Sequence, residues 1–200
     1  MATFELKQNV DLAELTTMKI GGKAKYFTEI ISSDQLEGVL GWAQDNKVRF
    51  HLLGGGSNTI FDDGVFDGLI IAISIKGIEK ISEDEVSAIV RVGAGEDWDY
   101  TVAEIVAMEL WGMEALSGIP GKTGAAPYQN IGAYGQEIKD TIDHIEAYDM
   151  GSKKFTTISN EDCKFGYRDS IFKSSEKGRY IITNVFFKLS KKPLGVPSYK

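Results

Sequence analysis

The sequence predicts an α+β fold, and three observations lead there. Short runs rich in Val, Ile, Phe and Thr recur at strand length, two segments carry apolar residues at helical spacing, and an almost uncharged stretch at 118–135, GIPGKTGAAPYQNIGAYG, fits neither element. Strand-like runs interspersed with amphipathic helices read as a mixed architecture of sheets covered by helices.

Residues up to Thr17 are mixed in character and are expected to form an extended lead-in. The run Thr16-Thr17-Met18-Lys19-Ile20-Gly21-Gly22 then leads into 25–31, whose apolar and β-branched residues read as a strand. Ser32 with Gln35 three residues on has the form of a capping box, and Leu36, Val39, Leu40 and Ala43 follow at helical spacing to an end near Asn46. Segments 48–53 and 69–75 read as the second and third strands, and 79–92 as a hairpin turning near Glu83-Asp84-Glu85. In 97–111 the residues Trp98, Val102, Ile105, Val106 and Leu110 share one face of a second helix, with Gly112 placed as its C-terminal cap. Trp98, Met108 and Trp111 are expected in the core. Segments 141–150 and 155–158 read as strands joined around Gly151-Ser152, Ser159 as the cap of a short helix through Asp162, and 179–189 as a strong strand. The tail at 193–200 carries Pro and Gly and reads as a linker.

Composition narrows the function. Two hundred residues with 42% hydrophobic and 26% charged content describe an ordinary globular chain with room for a core. A net charge of -7 argues against nucleic acid as the main partner, so an anionic ligand would need locally placed donors. The single Cys163 excludes an internal disulfide and a multi-cysteine metal site, and with only His51 and His144 no metal site is expected. Both histidines read as strand-borne with satisfied partners, and Cys163 as an inert buried thiol. The N-terminus lacks a basic-then-apolar signal pattern and no apolar run nears the ~20 residues of a membrane span, so a cytoplasmic protein is expected.

Two glycine-bearing loops stand out. Gly and Pro exclude a stable helix across 118–135, while Ile119, Ala125, Ala126, Tyr128, Ile131, Ala133 and Tyr134 favour burial over a solvated linker. Glycines in such a loop admit positive φ and let backbone N–H groups approach a bound group closely. The expectation is a buried loop wrapped around a large, partly anionic, partly flat ligand. Gly121-Lys122-Thr123 mimics the end of a phosphate-binding P-loop, but Leu116 stands where that motif needs glycine and GAAP does not open a helix. The second loop, Gly54-Gly55-Gly56-Ser57-Asn58, follows a strand yet leads to another strand, which argues against a dinucleotide-binding βαβ turn. Alone it reads as a tight turn; beside the 118–135 loop it reads better as a nest of amides facing phosphate.

Near the C-terminus, CKFGYRDSIFK places Arg168 between Tyr167 and Asp169 in a segment rich in buried-type residues. An arginine near a core needs a partner, and the residues alone favour an ion pair such as Arg168–Asp169 over contact with an anion.

GGGSN, GIPGKTGAAPYQNIGAYG and FGYRDSIFK, in this order and at these separations, resemble the UDP-N-acetylenolpyruvoylglucosamine reductase family over nearly the whole chain, from TTMKIGG to Leu189. The resemblance implies the FAD-binding part of a flavoprotein of peptidoglycan synthesis, a two-lobed domain of the vanillyl-alcohol-oxidase-like (PCMH) type with the cofactor between lobes 1–75 and 76–192. It implies that Leu53, Gly54, Gly55, Gly56, Ser57 and Asn58 cradle the pyrophosphate of a non-covalently bound FAD. Gly118, Ile119, Pro120, Gly121, Gly124 and Ala125 would line the flavin, together with Gln129, Asn130, Gly132, Ala133 and Tyr134. NADPH would deliver hydride through the flavin to the vinyl carbon of UDP-N-acetylglucosamine enolpyruvate, a proton adding at the neighbouring carbon. Arg168 matches the family's catalytic arginine, and Tyr167 would pack near the substrate. The family's C-terminal substrate domain, with its serine proton donor and catalytic glutamate, is missing here. The chain is therefore expected to be a fragment that binds small molecules, with no nucleic-acid, membrane or obligate protein partner. A non-catalytic FAD-binding module and a flavin oxidase of the same fold acting on a sugar or alcohol are the competing readings. The oxidase is the weaker, since neither glycine loop holds the histidine or cysteine that often anchors flavin there.

Overall fold

A computed structural model describes residues 3–195. The chain divides into two compact units, Met1–Ile75 and Lys76–Lys200.

In the first unit, β1 (Lys7–Asp11), β2 (Lys23–Ile30), α1 (Asp34–Asp45), β3 (Phe50–Leu53) and β4 (Val65–Ile73) follow one another, and the sheet order is β1-β2-β4-β3. The lead-in is thus not merely extended. It holds β1, paired antiparallel with β2, and a 3₁₀ turn at Ala13–Leu15, both packed through Leu12, which is buried with Ala24, Phe27, Leu53 and Ile70. Strands β2 and β3 both run parallel to β4, so α1 acts as the crossover that parallel pairing requires. Helix α1 buries Leu36, Val39, Leu40 and Ala43, the residues its period selected. Its cap differs from the expected box. Ser33 is the capping residue with no side-chain bond, while Gln35 reaches back to the Ile31 N–H (2.9 Å).

The second unit begins with β5 (Ile78–Glu83) and β6 (Ser87–Gly93), whose connection is tied by the Asp84 carboxylate accepting from the Val86 and Ser87 amides. Next come α2 (Trp98–Ala107), a miniature hairpin of β7 (Gly132–Ala133) and β8 (Gln136–Glu137), then β9 (Ile142–Asp149), β10 (Lys154–Ser159) and β11 (Tyr180–Ser190). The large sheet has the order β10-β9-β11-β6-β5, antiparallel throughout. Helix α2 is shorter than its pattern implied. It stops at Ala107 because Glu109 already takes the left-handed conformation (φ 57°), three residues ahead of the expected cap Gly112, and Val106 is half exposed with Met108 and Trp111 outside the core. Trp98 alone of the three is buried; it meets the Phe187 ring edge-on and donates to the Leu116 carbonyl (2.8 Å). Asp97 caps α2 by accepting from the Tyr100 amide. Asn160, not Ser159, is the capping residue of the short turn Glu161–Cys163, although Ser159 Oγ accepts from the Asp162 amide (3.1 Å). Cys163 is fully buried, and burial pushes its thiol up to about 12. His144 on β9 lies against Asp143 (2.7 Å) and stacks on Phe186, whereas His51 on β3 is exposed beside Phe61. Residues 193–195 have no regular structure, and the rest of the expected linker lies outside the described residues. No helix among the described residues is long and apolar enough to cross a membrane.

Candidate functional site

In the first unit the Gly54–Asn58 turn leaves β3 directly after Leu53, whose side chain is buried in the core. The turn is shaped by what lies beneath it. Gly56 has φ 66°, its carbonyl accepts from the Thr17 amide (3.2 Å), and a Cβ there would sit 2.1 Å from the Leu15 carbonyl oxygen. No other residue fits that position without moving the Leu15–Thr16 backbone. Among the described residues, the amides of Gly55, Gly56 and Asn58 donate to no backbone carbonyl. A cluster of uncommitted amides next to a left-handed residue is the donor set an anionic diphosphate requires, so the residues fit that group.

In the second unit the 118–135 loop is pinned at three places. At its start, Asp99 in the first turn of α2 accepts from Ser117 Oγ and from the Gly118 amide, both at 2.7 Å, and these bonds lower its carboxyl pKa. In the middle, the Thr123 and Gly124 amides donate to the Glu96 and Ala94 carbonyls (2.9 and 2.8 Å). A Cβ on Gly124 would come within 2.5 Å of the Ala94 Cβ, so this glycine serves close packing. Residues Thr123–Gln129 wind into a 3₁₀ helix containing Pro127. The loop thus holds one short 3₁₀ stretch and no α-helix, with Pro127 contributing no N–H donor to it. At its end, β7 and β8 are joined by Tyr134 and Gly135, both at positive φ, the signature of a type I′ hairpin turn.

The loop is less buried than its composition implied. Thr123, Ala126, Asn130 and Ile131 are inside, Ile119, Gly121, Gln129, Gly132 and Ala133 are partly covered, and Gly118, Pro120, Ala125 and Tyr134 are exposed.

Arg168 departs further from expectation. It is exposed, and its guanidinium donates not to Asp169 but to the Gly132 carbonyl (2.7 Å). Gly166 and Asp169 bond each other through both backbone groups, so Tyr167 and Arg168 form the tip of a tight turn, with Tyr167 89% exposed. Arg168 occupies the third position of that turn with φ 53°, where Gly or Asn is the ordinary choice. The apolar neighbours that drew the arginine toward the core in the sequence do go inside, as Ile171 and Phe172; the turn carries Arg168 back out.

Three hydrogen bonds seat this turn on the glycine loop: Ser170 Oγ to the Tyr128 carbonyl (2.8 Å), Asn130 Nδ2 to the Gly166 carbonyl (2.9 Å), and Arg168 to Gly132. The Tyr128 hydroxyl, whose pKa burial raises, donates to the Tyr180 carbonyl and holds the loop to β11. Sequence reasoning passed over Asp99 and Ser170. The signal for Ser170 was a lone hydroxyl ahead of two core residues; for Asp99 it was an acid in the first turn of a helix. Among the described residues no group of three or more His, Cys, Asp or Glu could hold a metal ion.

Comparison with known proteins adds to this geometry. A family described as FAD binding domain matches residues 24–154. The chain is 42% identical over 186 residues to a UDP-N-acetylenolpyruvoylglucosamine reductase of Salinispora arenicola, covering 93% of this chain and 51% of that one. It is 40% identical over 195 residues to the same-named protein of Amoebophilus asiaticus, covering 98% and 57%. The chain thus spans about half the length of the curated relatives it matches. Among solved structures, UDP-N-acetylenolpyruvylglucosamine reductase (MurB) from Thermus caldophilus superposes with a TM-score of 0.76 at 26% identity, over 96% of this chain and 64% of that one. The fold alone is shared with 6-hydroxy-D-nicotine oxidase from Arthrobacter nicotinovorans, with a TM-score of 0.69 at 16% identity over 95% and 43%.

Proposed function

Since the chain belongs to the FAD binding domain family, we propose that it is the flavin-holding part of a UDP-N-acetylenolpyruvoylglucosamine reductase, which uses NADPH to reduce UDP-N-acetylglucosamine enolpyruvate to UDP-N-acetylmuramate. The identity of about 40% to proteins of that name supports the reading. The observation that carries it within this chain is Arg168 on a strained, exposed turn tied to the glycine loop. Backbone strain at a non-glycine residue is kept where the surrounding structure enforces it and a function uses it.

The Gly55, Gly56 and Asn58 amides would hold the diphosphate. Gly121, Ala125, Gly132, Ala133 and Tyr134 would line the flavin ring, which no histidine or cysteine of either loop can anchor covalently. Bound FAD would supply the hydride chemistry, passing hydride from NADPH to the vinyl carbon of the substrate. The double-bond electron pair would then rest on the carboxylate-bearing carbon until a proton adds there. Arg168 would stabilise the enolate-like charge that develops, because its side chain is exposed and the Gly132 carbonyl takes one of its five N–H groups. Tyr167 at the same turn packs against the substrate.

Purified protein should be yellow, and denaturation followed by filtration should release free FAD. In the full-length protein, Arg168→Ala should retain flavin while substrate reduction falls about 100-fold or more, the usual effect of removing one preorganised charge stabiliser. Unchanged turnover would leave the arginine a purely structural role.

A further inference from the structure

Asn130 lies two residues before the carbonyl that anchors Arg168, and its surroundings give it a different task from the cofactor contact its motif implies. It is fully buried and adopts the left-handed conformation (φ 41°). Its Nδ2 donates to the Gly166 carbonyl (2.9 Å) and to Glu137 Oε1 (3.0 Å), and its Oδ1 accepts from the Lys139 amide (3.2 Å). Both side-chain N–H groups are therefore committed inside the protein, which leaves no donor for a ligand.

The partners are themselves held. The Glu137 amide donates to Asp140 Oδ2 (3.2 Å) in a reciprocal cap of the short helix Ile138–Asp140, and Lys139 forms an ion pair with Glu137. Gly166 is locked to Asp169 across the turn, so fixing the Gly166 carbonyl fixes Arg168 two residues on. Asn130 and Gly132 belong to one short segment and grip the turn at two points, through its backbone and through the arginine side chain.

We infer that Asn130 is the positioning residue for Arg168: it clamps the Gly166–Asp169 turn to the glycine loop and so sets where the guanidinium stands. The inference rests on the charge-stabilising role assigned to Arg168 above. Asparagine suits the post because it tolerates left-handed backbone and supplies two donors from one short side chain.

The first test needs no variant. In side-chain amide NMR of the isotope-labelled protein, the Asn130 Nδ2 protons should exchange slowly before FAD is added and shift little on its addition. Protons that exchange freely without FAD and become protected only with it would overturn the inference, because they would mark a cofactor ligand.

The second test uses Asn130→Gly, which keeps the backbone conformation and removes the clamp. In the FAD-loaded full-length protein, hydrogen exchange across residues 164–172 should quicken at least tenfold while the flavin spectrum and affinity stay within twofold. Flavin reduction by NADPH should keep its rate, and kcat for the enolpyruvyl substrate should fall about tenfold with little change in KM. Faster exchange with an unaltered substrate step would reduce the clamp to a structural tie and overturn the inference. Lost flavin affinity with wild-type exchange would do the same. Arg168→Ala run alongside separates the two claims: if that variant also turns over normally, it is the assignment to Arg168 that fails.

Discussion

The Gly54–Asn58 turn and the 118–135 loop are both glycine-rich, yet they offer opposite faces of the backbone. In the first, the amides of Gly55, Gly56 and Asn58 meet no carbonyl among the described residues, while the one glycine carbonyl engaged, that of Gly56, accepts from Thr17. In the second, the Tyr128 and Gly132 carbonyls accept from Ser170 and Arg168, and the Gly118, Thr123 and Gly124 amides are already committed. Open donors favour an anion; engaged carbonyls hold a cationic side chain in place. On the function proposed above, the same residue type would prepare one loop to receive phosphate and the other to display an arginine.

The strongest challenge to this contrast is a pair of alanine substitutions. Gly56→Ala places a Cβ 2.1 Å from the Leu15 carbonyl in a left-handed residue and should destabilise the protein by about 3 kcal/mol or more, with loss of flavin. Gly118→Ala, also at positive φ (77°) but with nothing within 4 Å of the new Cβ, should cost only about 1 kcal/mol and leave flavin bound. Urea unfolding and flavin titration measure both. Equal losses at the two sites would break the contrast.

Acid should separate the two units next. In the second, Arg179 grips Asp149 through two bonds of 3.0 Å each and, helped by the Gly151 amide, holds its carboxyl well below the usual carboxylate range. A depressed folded pKa means stability that is present above the unfolded value, about 3.9, and drains away as pH falls below it. The first unit's Lys25–Asp67 pair is solvent-exposed and contributes little. Hydrogen exchange between pH 5 and pH 2 should therefore loosen β9 and β11 ahead of β2 and β4, and Asp149→Asn should abolish that lead. Simultaneous loosening of both sheets in the parent protein would refute it.

The smallest effect concerns Cys163. Buried, with its thiol pushed up to about 12, it should ignore Ellman's reagent at pH 8 in the folded protein and react fully in urea. Because its carbonyl accepts from the Ile171 amide (3.0 Å), two residues past the Gly166–Asp169 turn, the rate of its reaction reports how often that region opens.

What could be read from the chain alone was whatever repeats with a short period or joins neighbours. The α1 core face was legible because its burial follows the helical period, and the long strands after the lead-in because they are runs of apolar and β-branched residues. Strand β1 was missed because its residues are nearly all exposed, so no apolar alternation marks it; pairing with β2 creates it. The end of α2 was misplaced because Glu109, a residue with no special liking for left-handed backbone, terminates the helix instead of the obvious glycine.

At the candidate site, residue types and spacing determined which segments matter, and the motif order identified the kind of protein they resemble. Only the tertiary structure decided their placement and partners. It turned Arg168 outward, buried Asn130 and joined the two through loops 36 residues apart in the chain. A hydrogen bond between segments so distant leaves no period in the sequence, because its geometry depends on how the intervening strands fold back. The chain specified the donors and acceptors, and the fold chose which of them would meet.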